Sequence, residues 1–263
     1  MDEEPLHVTV WDEGLPGAPR ALLVHGTMSW GTECFAGQRP LAGMFRLELV
    51  DRRGFGDSPD VERSDYEVDA EDLGRLLGAG AHLVGHSYGA AAAMLAASAR
   101  PEAVHSLTLI EPSPLRTAAA HPVVRAALER LRAAFANAGE LGEVSPEDYL
   151  RQSTEAYGMR LPEVTPRMLR AVRTAMRERP VWDAQIPLAP LIRAQLPKTV
   201  INGTWESANP EYRAFVGDAL AACREYLAEM IGARHVRVPD TDHAPHQDRP
   251  EVVNEVLARL WQS

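Results

Sequence analysis

The sequence predicts an α/β fold with a mostly parallel central sheet flanked by helices and a helical insert. Short apolar runs rich in branched residues alternate with helical stretches, which is typical of a parallel sheet covered by helices. A tight glycine-containing turn joins one apolar run to an alanine-rich helix. Between residues 112 and 196 the alternation stops and only helical patterns remain. We therefore predict a core of residues 1–111 and 197–263 and a helical cap of residues 112–196.

The predicted strands are short runs of apolar and β-branched residues bounded by turn signals. They are Leu6–Trp11, Ala21–Val24, Phe45–Val50, Ala81–Val84, Val104–Ile110, Thr199–Asn202 and His235–Val238. Buried parallel strands have continuous apolar runs of this kind.

The predicted helices fall into two groups. Those of the core are Tyr66–Leu77, Ala90–Ala99, Glu211–Ile231 and Glu251–Trp261. Those of the insert are Pro122–Ala138, Pro146–Tyr157 and Pro166–Arg179. Each of the latter has a proline in its first turn, where the missing N–H costs nothing. We interpret the insert as a cap over the carboxyl ends of the strands, where open α/β sheets bind ligands.

The composition and net charge of the chain limit the kinds of molecule that we expect it to bind. Hydrophobic residues at 45% and charged residues at 24% are ordinary for a soluble globular protein. The net charge of −10 disfavours nucleic acid and anionic membrane surfaces. The acidic segment Met1–Pro5 lacks the pattern of a signal peptide, and no apolar run is long enough to span a bilayer. We expect a cytoplasmic protein, with a monomer and a homodimer as the alternatives for its oligomeric state.

The two cysteines, Cys34 and Cys223, are far apart in the chain. Their spacing indicates neither a metal site nor a redox pair, so we expect buried free thiols. Because the sequence contains no recognisable ligand cluster, neither a cofactor nor a metal is predicted.

Residues 85–89 read Gly-His-Ser-Tyr-Gly, a G-x-S-x-G element between an apolar strand and a helix of small residues. Such a turn strains its middle residue and leaves no room for bulky flanking side chains. It presents the hydroxyl of Ser87 above the sheet, at a helix N-terminus that favours developing negative charge. Ser87 is the predicted nucleophile.

A serine nucleophile needs a base and a site for its oxyanion. His243, in the turn after the last strand, is the predicted base, and His246 in the same turn is the alternative. One oxyanion donor should be the backbone amide of Tyr88. The other should come from the loop after the second strand, where Thr27 is the first choice and Met28 the fallback.

These features together resemble the α/β-hydrolase superfamily over nearly the whole chain. The family's order is matched by His25-Gly26, the turn 51–58, the elbow 85–89, and Asp242-His243 followed by Pro250-Glu251. Asp242 departs from the glycine that the family often has before its histidine. The resemblance implies a serine hydrolase with the order nucleophile, acid, histidine. It also implies that the turn 51–58 is a structural brace.

Two glutamates compete for the role of the acid. The family usually places an aspartate after the sixth strand, where this sequence has Glu206. A minority resembling fungal zearalenone lactonases and some haloalkane dehalogenases take the acid from the preceding strand, where Glu111 matches. A carboxylate ending a buried strand is costly unless it is paired, which favours Glu111. The acid should lie within about 3.2 Å of the His243 ring nitrogen facing away from Ser87.

The functional hypothesis is an esterase or lactonase that cleaves a small to medium uncharged substrate beneath the cap. Trp182 and Met28 are the candidate substrate-binding residues, and Tyr157, Met159 and Leu188 are further candidates for the pocket lining. Two alternatives stay open. One is carbon–carbon bond hydrolysis or cofactor-free perhydrolysis at the same site, and the other is a non-catalytic ligand-binding protein with this fold.

Overall fold

The core is a seven-stranded sheet, seen in a computed structural model that describes residues 4–14, 16–137, 144–156 and 161–262. The strands within these ranges are β1 Val8–Trp11, β2 Arg20–Val24, β3 Arg46–Val50, β4 Ala81–His86, β5 Val104–Ile110, β6 Lys198–Gly203 and β7 Arg234–Val238. Their order across the sheet is β1-β3-β2-β4-β5-β6-β7. The mostly parallel sheet predicted from the sequence is confirmed.

The strands β2 to β7 run parallel to their neighbours. The exception is β1, which pairs antiparallel with β3 and forms one edge, with Val8 opposite Val50 and Trp11 opposite Leu47. An antiparallel edge strand on an otherwise parallel sheet is common in large α/β folds.

Helices flank this sheet. Those in the described residues are α1 Gly31–Cys34, α2 Tyr66–Leu77, α3 Tyr88–Ala99, α4 Pro122–Asn137, α5 Pro146–Ala156, α6 Pro166–Ala175, α7 Leu188–Arg193, α8 Pro210–Tyr212, α9 Asp218–Met230, α10 Pro245–Asp248 and α11 Pro250–Trp261. Single 3₁₀ segments occur at Ala36–Gly43, Pro101–Ala103, Leu115–Ala118 and Val181–Asp183. None of the described helices combines the length and apolar composition needed to cross a bilayer.

Two apolar cores lie on opposite faces of the sheet, because successive side chains of a strand alternate in direction. Leu22 and Val24 of β2 join the core that contains α2, α3 and α9. Ala21 and Leu23 join the core that contains α11. The buried alanines of α3 lack bulk, so this helix packs closely against the sheet and holds its N-terminus at the end of β4.

The insert contains helices and no strand within the described part of residues 112–196. Its helix α6 lies on the loop that follows β3. The Thr174 hydroxyl donates to the Gly54 carbonyl at 2.7 Å, and Arg170 donates to the Gly56 carbonyl at 2.7 Å. Tyr157 and Met159, two of the predicted pocket residues, lie outside the described residues.

The long helix predicted near Glu211–Ile231 is present from Pro210 to Met230, but it is not a regular α-helix throughout. The structure has the short helix α8, a wider π-helical turn at Arg213–Gly217, and then α9. Asn209 begins this region by accepting a hydrogen bond from the Glu211 amide at 2.8 Å. A π-helical turn accommodates one extra residue per turn, so residues before and after it face directions that a regular helix would not allow.

Candidate active site

Ser87 lies at the tip of a sharp turn between β4 and α3. Its φ is 52° and its ψ is −114°, a conformation that is strained for a residue with a side chain. A Cβ atom at Gly85 would lie 2.5 Å from the carbonyl oxygen of Gly89. One at Gly89 would lie 2.5 Å from the carbonyl oxygens of Val24 and His25. Both flanking positions therefore require glycine.

His243 meets the nucleophile from the loop that follows β7. Its Nε2 atom lies 2.9 Å from Ser87 Oγ, a distance suited to proton transfer. The alternative base, His246, is fully buried in α10, and its Nε2 lies 3.3 Å from Cys34 Sγ. Of the two candidates, His243 is the one that the structure brings to Ser87.

Glu111 is the carboxylate that the structure places beside this imidazole. It follows β5 directly and is fully buried. Its Oε2 atom lies 3.6 Å from Nδ1 of His243, which is longer than the expected limit of about 3.2 Å for a hydrogen bond. Glu206 is exposed in the loop after β6.

The other contacts of Glu111 keep its carboxylate ionised. Arg224 of α9 forms a buried ion pair with it. The Gly203 amide donates to Oε1 at 2.8 Å, and Nε1 of Trp205 donates to the same oxygen at 3.2 Å. Burial acts to raise the pKa of Glu111, but the charge of Arg224 and the hydrogen bonds outweigh it and hold the pKa below its ordinary value.

Sequence reasoning did not identify Arg224, although the sequence carries a signal for it. On α9 the buried positions include Leu220, Cys223, Arg224 and Leu227, which share one face at helical spacing. An arginine on an apolar helix face is rarely buried unless it is paired. Such a residue therefore indicates a buried acid on a neighbouring element.

The loop after β2 runs directly beside the nucleophile. A Cβ atom at Gly26 would lie 3.0 Å from Cβ of Ser87. The next residues are Thr27 and Met28, while Tyr88 begins α3 on the other side. Both predicted amide donors thus belong to segments adjoining Ser87. Their role in binding an oxyanion remains a prediction.

Arg52 connects this loop to the helical insert. It is buried and donates to the Gly26 carbonyl at 3.0 Å, to Glu178 at 2.6 Å and to Asp69 at 2.9 Å. Glu178 also accepts from the Thr27 hydroxyl. Burial raises the pKa of Asp69 to about 6, although the neighbouring guanidinium opposes this shift. The turn after β3 is thus a brace, and it reaches from the insert to the edge of the site.

A sequence model described as the alpha/beta hydrolase family matches residues 21–256. The chain belongs to the alpha/beta hydrolase family. This result confirms both the resemblance and the fold class predicted from the sequence.

Some proteins similar to this chain are named as enzymes that cleave esters or lactones. The chain is 39% identical over 98 residues to the pimeloyl-[acyl-carrier protein] methyl ester esterase of Aeromonas salmonicida, a match that spans 36% of this chain and 39% of that enzyme. A probable hydrolytic enzyme from Pseudomonas aeruginosa has a TM-score of 0.64 and 23% identity, covering 100% of this chain and 92% of that one. The enol-lactonase of Burkholderia xenovorans has a TM-score of 0.62 and 19% identity, covering 98% and 96%. These two structures show the shared fold.

Strained backbone marks the rim of the site in this alpha/beta hydrolase. Among the described residues, five non-glycine residues have a φ between 51° and 55°: Met28, Ser87, Glu111, Trp205 and Asp240. Each follows the carboxyl end of one of the parallel strands β2, β4, β5, β6 and β7. Positive φ angles at residues other than glycine cost on the order of 1–3 kcal/mol each and cluster at functional sites. They therefore indicate the same end of the sheet as the Ser87–His243 contact.

Two groups of described side chains each bring three potential metal ligands within 4.8 Å of one another. They are Cys34 with His86 and His246, and His7 with Asp51 and Asp57. In the first group Cys34 Sγ lies 3.5 Å from His86 Nδ1 and 3.3 Å from His246 Nε2. In the second, Arg167 lies within ion-pair distance of both carboxylates. In both groups the ligand atoms already have partners within the protein.

The two predicted substrate-binding residues lie in different surroundings. Met28 packs against an apolar cluster formed by α5 and α6, so the loop after β2 meets the insert there. Trp182 lies against Phe135 of α4, with ring centroids 5.8 Å apart. Leu188, at the start of α7, packs against the main core. Substrate contact by Met28 and Trp182 stays a prediction.

Proposed function

We propose that this chain is a serine hydrolase that cleaves a carboxylic ester or lactone of a small to medium uncharged substrate through an acyl-enzyme. The observation that carries the proposal is the 2.9 Å contact between Ser87 Oγ and His243 Nε2. It is made by a serine held in a strained elbow at a helix N-terminus. The ionised carboxylate of Glu111 beside the imidazole adds support.

In the first half-reaction, His243 Nε2 accepts the proton of Ser87 while Oγ bonds to the substrate carbonyl carbon. The carbonyl electron pair moves to oxygen, and the oxyanion is stabilised by the amides of Tyr88 and Thr27. When the carbonyl re-forms, the bond to the leaving alcohol oxygen breaks. That oxygen takes the proton from His243, and Ser87 is left acylated.

In the second half-reaction, a water molecule gives a proton to His243 and bonds to the acyl carbon. Collapse of the new oxyanion breaks the bond to Ser87 Oγ, which takes back the proton. Throughout, Glu111 orients the imidazole and stabilises its protonated form. In a lactone the leaving alcohol stays tethered to the acyl group, so one hydroxy acid is released.

The substrate class is supported by the surroundings of the site. The apolar cluster of α5 and α6 contacts Met28, and Met28 follows the proposed oxyanion donor Thr27 in the chain. An apolar surface at this place suits an uncharged part of the substrate. We propose residues 112–196 as the cap that covers it. Methyl ester cleavage and lactone opening, named for two similar proteins, both begin with attack on an ester carbonyl.

The test combines labelling with turnover. A fluorophosphonate probe should label the wild type and the Ser98→Ala variant, which removes a serine at the far end of α3. It should not label Ser87→Ala. On a panel of p-nitrophenyl esters and γ- and δ-lactones, Ser87→Ala should lose about 10⁶-fold in kcat. Turnover by Ser87→Ala within tenfold of the wild type, or no labelling of the wild type, contradicts the proposal.

A further inference from the structure

One carboxylate oxygen of Glu111 is shared between two partners. Its Oε2 atom contacts Nη2 of Arg224 and lies 3.6 Å from Nδ1 of His243. The other oxygen, Oε1, accepts from the Gly203 amide at 2.8 Å. The guanidinium is therefore the closer of the two groups at Oε2, and both groups act to lower the pKa of the carboxyl group.

Arg224 is held in this position by buried contacts. Its side chain is 2% exposed and that of Glu111 is fully buried, so the pair is shielded from water and interacts strongly. The guanidinium also lies over the ring of Trp205, 5.7 Å from its centroid. Trp205 in turn donates to the carboxylate at 3.2 Å. The arginine and the carboxylate are thus held as a unit.

We propose that Arg224 is a positioning residue of the catalytic triad, which holds Glu111 Oε2 and withholds part of its charge from His243. The inference rests on the proposed function. A carboxylate beside an imidazole stabilises the protonated ring, and a nearby guanidinium destabilises it. Arg224 therefore reduces the negative charge that Glu111 presents to His243 and favours the neutral ring, which is the form that accepts the proton of Ser87.

The other titratable and charged groups around this unit come from every neighbouring element. They are His86 of β4, Tyr212 of α8, Arg213 of the π-helical turn, Asp218, Cys223 and Glu225 of α9, His235 and Arg237 of β7, Asp242 of the loop after β7, and His246 of α10. Burial lowers the pKa of His86 to about 3 and raises that of the Cys223 thiol to about 12. Burial also places the pKa of His246 well below its ordinary value. These three groups are neutral between pH 5 and 9, whereas the guanidinium stays charged.

The sign of the effect follows from charge alone. Replacing Arg224 with a neutral residue removes a cation near the imidazole and frees Glu111 to interact with it. Both changes favour the protonated ring, so the acid limb of the kcat/KM profile must move to higher pH. For the loss of one buried charge that pairs with the carboxylate beside the imidazole, we expect a shift of about 0.5–1.5 pH units.

The experiment is the pH profile of kcat/KM between pH 5 and 9 on a neutral p-nitrophenyl ester. Arg224→Gln should move the acid limb upward, and Arg224→Lys, which keeps the charge, should not. The matched control is Arg213→Gln, because Arg213 lines the same 230 Å³ cavity as Arg224 but is exposed and lies 3.8 Å from Asp218. Its profile should coincide with that of the wild type.

A second comparison applies if Arg224→Gln does not fold, since it leaves Glu111 buried without its cation. Glu111→Gln and the double variant Glu111→Gln/Arg224→Gln differ only in the arginine, and the double variant has no uncompensated buried charge. Its acid limb should lie about 0.5–1.5 pH units above that of Glu111→Gln. The role of Arg224 is overturned if the acid limbs of this pair coincide. It is also overturned if Arg224→Gln folds and its acid limb coincides with that of the wild type. Activity that survives in Ser87→Ala instead overturns the proposed function.

Discussion

The ring of His86 and the backbone of His243 are joined by a hydrogen bond, with His86 Nε2 2.9 Å from the His243 carbonyl oxygen. A carbonyl only accepts, so Nε2 carries the proton. Because burial lowers the pKa of His86 to about 3, the ring is neutral and its Nδ1 accepts. That atom lies 3.5 Å from the Cys34 thiol, which can donate. The residue before the nucleophile thus fixes the loop that carries the base.

We predict that His86→Phe lowers kcat about 10- to 100-fold with little change in KM. Phenylalanine keeps an aromatic ring but cannot donate to the His243 carbonyl, and a small misplacement of a catalytic group has an effect of this size. Steady-state ester hydrolysis measures it. His105→Phe, at an exposed position of β5, is the control. A folded His86→Phe variant with unchanged kcat shows that this contact does not position the base.

We predict that Glu111→Gln lowers kcat by about 10⁴, the cost of losing imidazole orientation in a serine protease. Glu206→Gln, in the exposed loop after β6, should stay within twofold of the wild type. Both variants are to be assayed on the same ester, with circular dichroism to establish folding. The opposite pattern, a silent Glu111→Gln and an inactive Glu206→Gln, makes Glu206 the acid.

We predict that Glu178→Gln destabilises the fold by roughly 1–3 kcal/mol, the usual effect of removing one partner of a buried hydrogen-bonded group. Glu178 pairs with the buried Arg52 at 2.6 Å, and the substitution leaves that guanidinium with less negative charge. Urea denaturation measures the free energy of unfolding. Glu67→Gln is the control, since Glu67 is exposed and pairs at 3.0 Å with Arg179. Equal urea midpoints for the two variants contradict a bracing role of Glu178.

Buried neutral histidines predict that stability falls with pH below about 6.5. Burial lowers the pKa of His86 to about 3 and those of His25 and His246 well below the ordinary value. The unfolded chain binds protons there that the folded chain does not, at a cost of up to about 1.4 kcal/mol per pH unit for each group. Asp69 opposes this below about pH 6, because its raised pKa lets the folded state take up a proton.

Urea midpoints at pH 7, 6 and 5 check this prediction, since burial lowers the pKa of five described histidines and raises that of three carboxyl groups. His246→Gln should flatten the decline, because it removes one of the buried rings. His105→Gln, with its exposed ring, should leave the decline unchanged. A midpoint that rises between pH 6.5 and 5 is the contrary result.

Local sequence patterns predicted most of the fold. The helix Tyr66–Leu77 and the strand Val104–Ile110 have the predicted bounds, because apolar periodicity and flanking turn residues suffice there. The elbow at Ser87 was predictable for a related reason. Its motif is confined to five consecutive residues, although the carbonyl oxygens that require glycine at position 89 belong to Val24 and His25.

Pairings between distant elements were not predictable in this way. Arg224 meets Glu111 across α9 and β5, and Glu178 meets Arg52 across the insert and the loop after β3. Sequence showed that a buried Glu111 needs a partner, but not that a second one besides His243 would take the same oxygen. The π-helical turn at Arg213–Gly217 likewise depends on tertiary packing, which places Tyr212 against Trp205 with ring centroids 5.5 Å apart.

The positive φ angles at the strand ends serve the proposed activity and lower the thermal stability of the fold. Ser87 and Glu111 hold the side chains of the proposed chemistry in conformations that a glycine adopts without steric penalty. We expect Ser87→Gly to be at least as resistant to urea as Ser87→Ala, because the alanine keeps a Cβ atom in this conformation before α3 and the glycine does not. Directed evolution for heat resistance alone would therefore favour substitutions at these strained positions first. Such substitutions relax the backbone and give a more stable protein that has lost its activity.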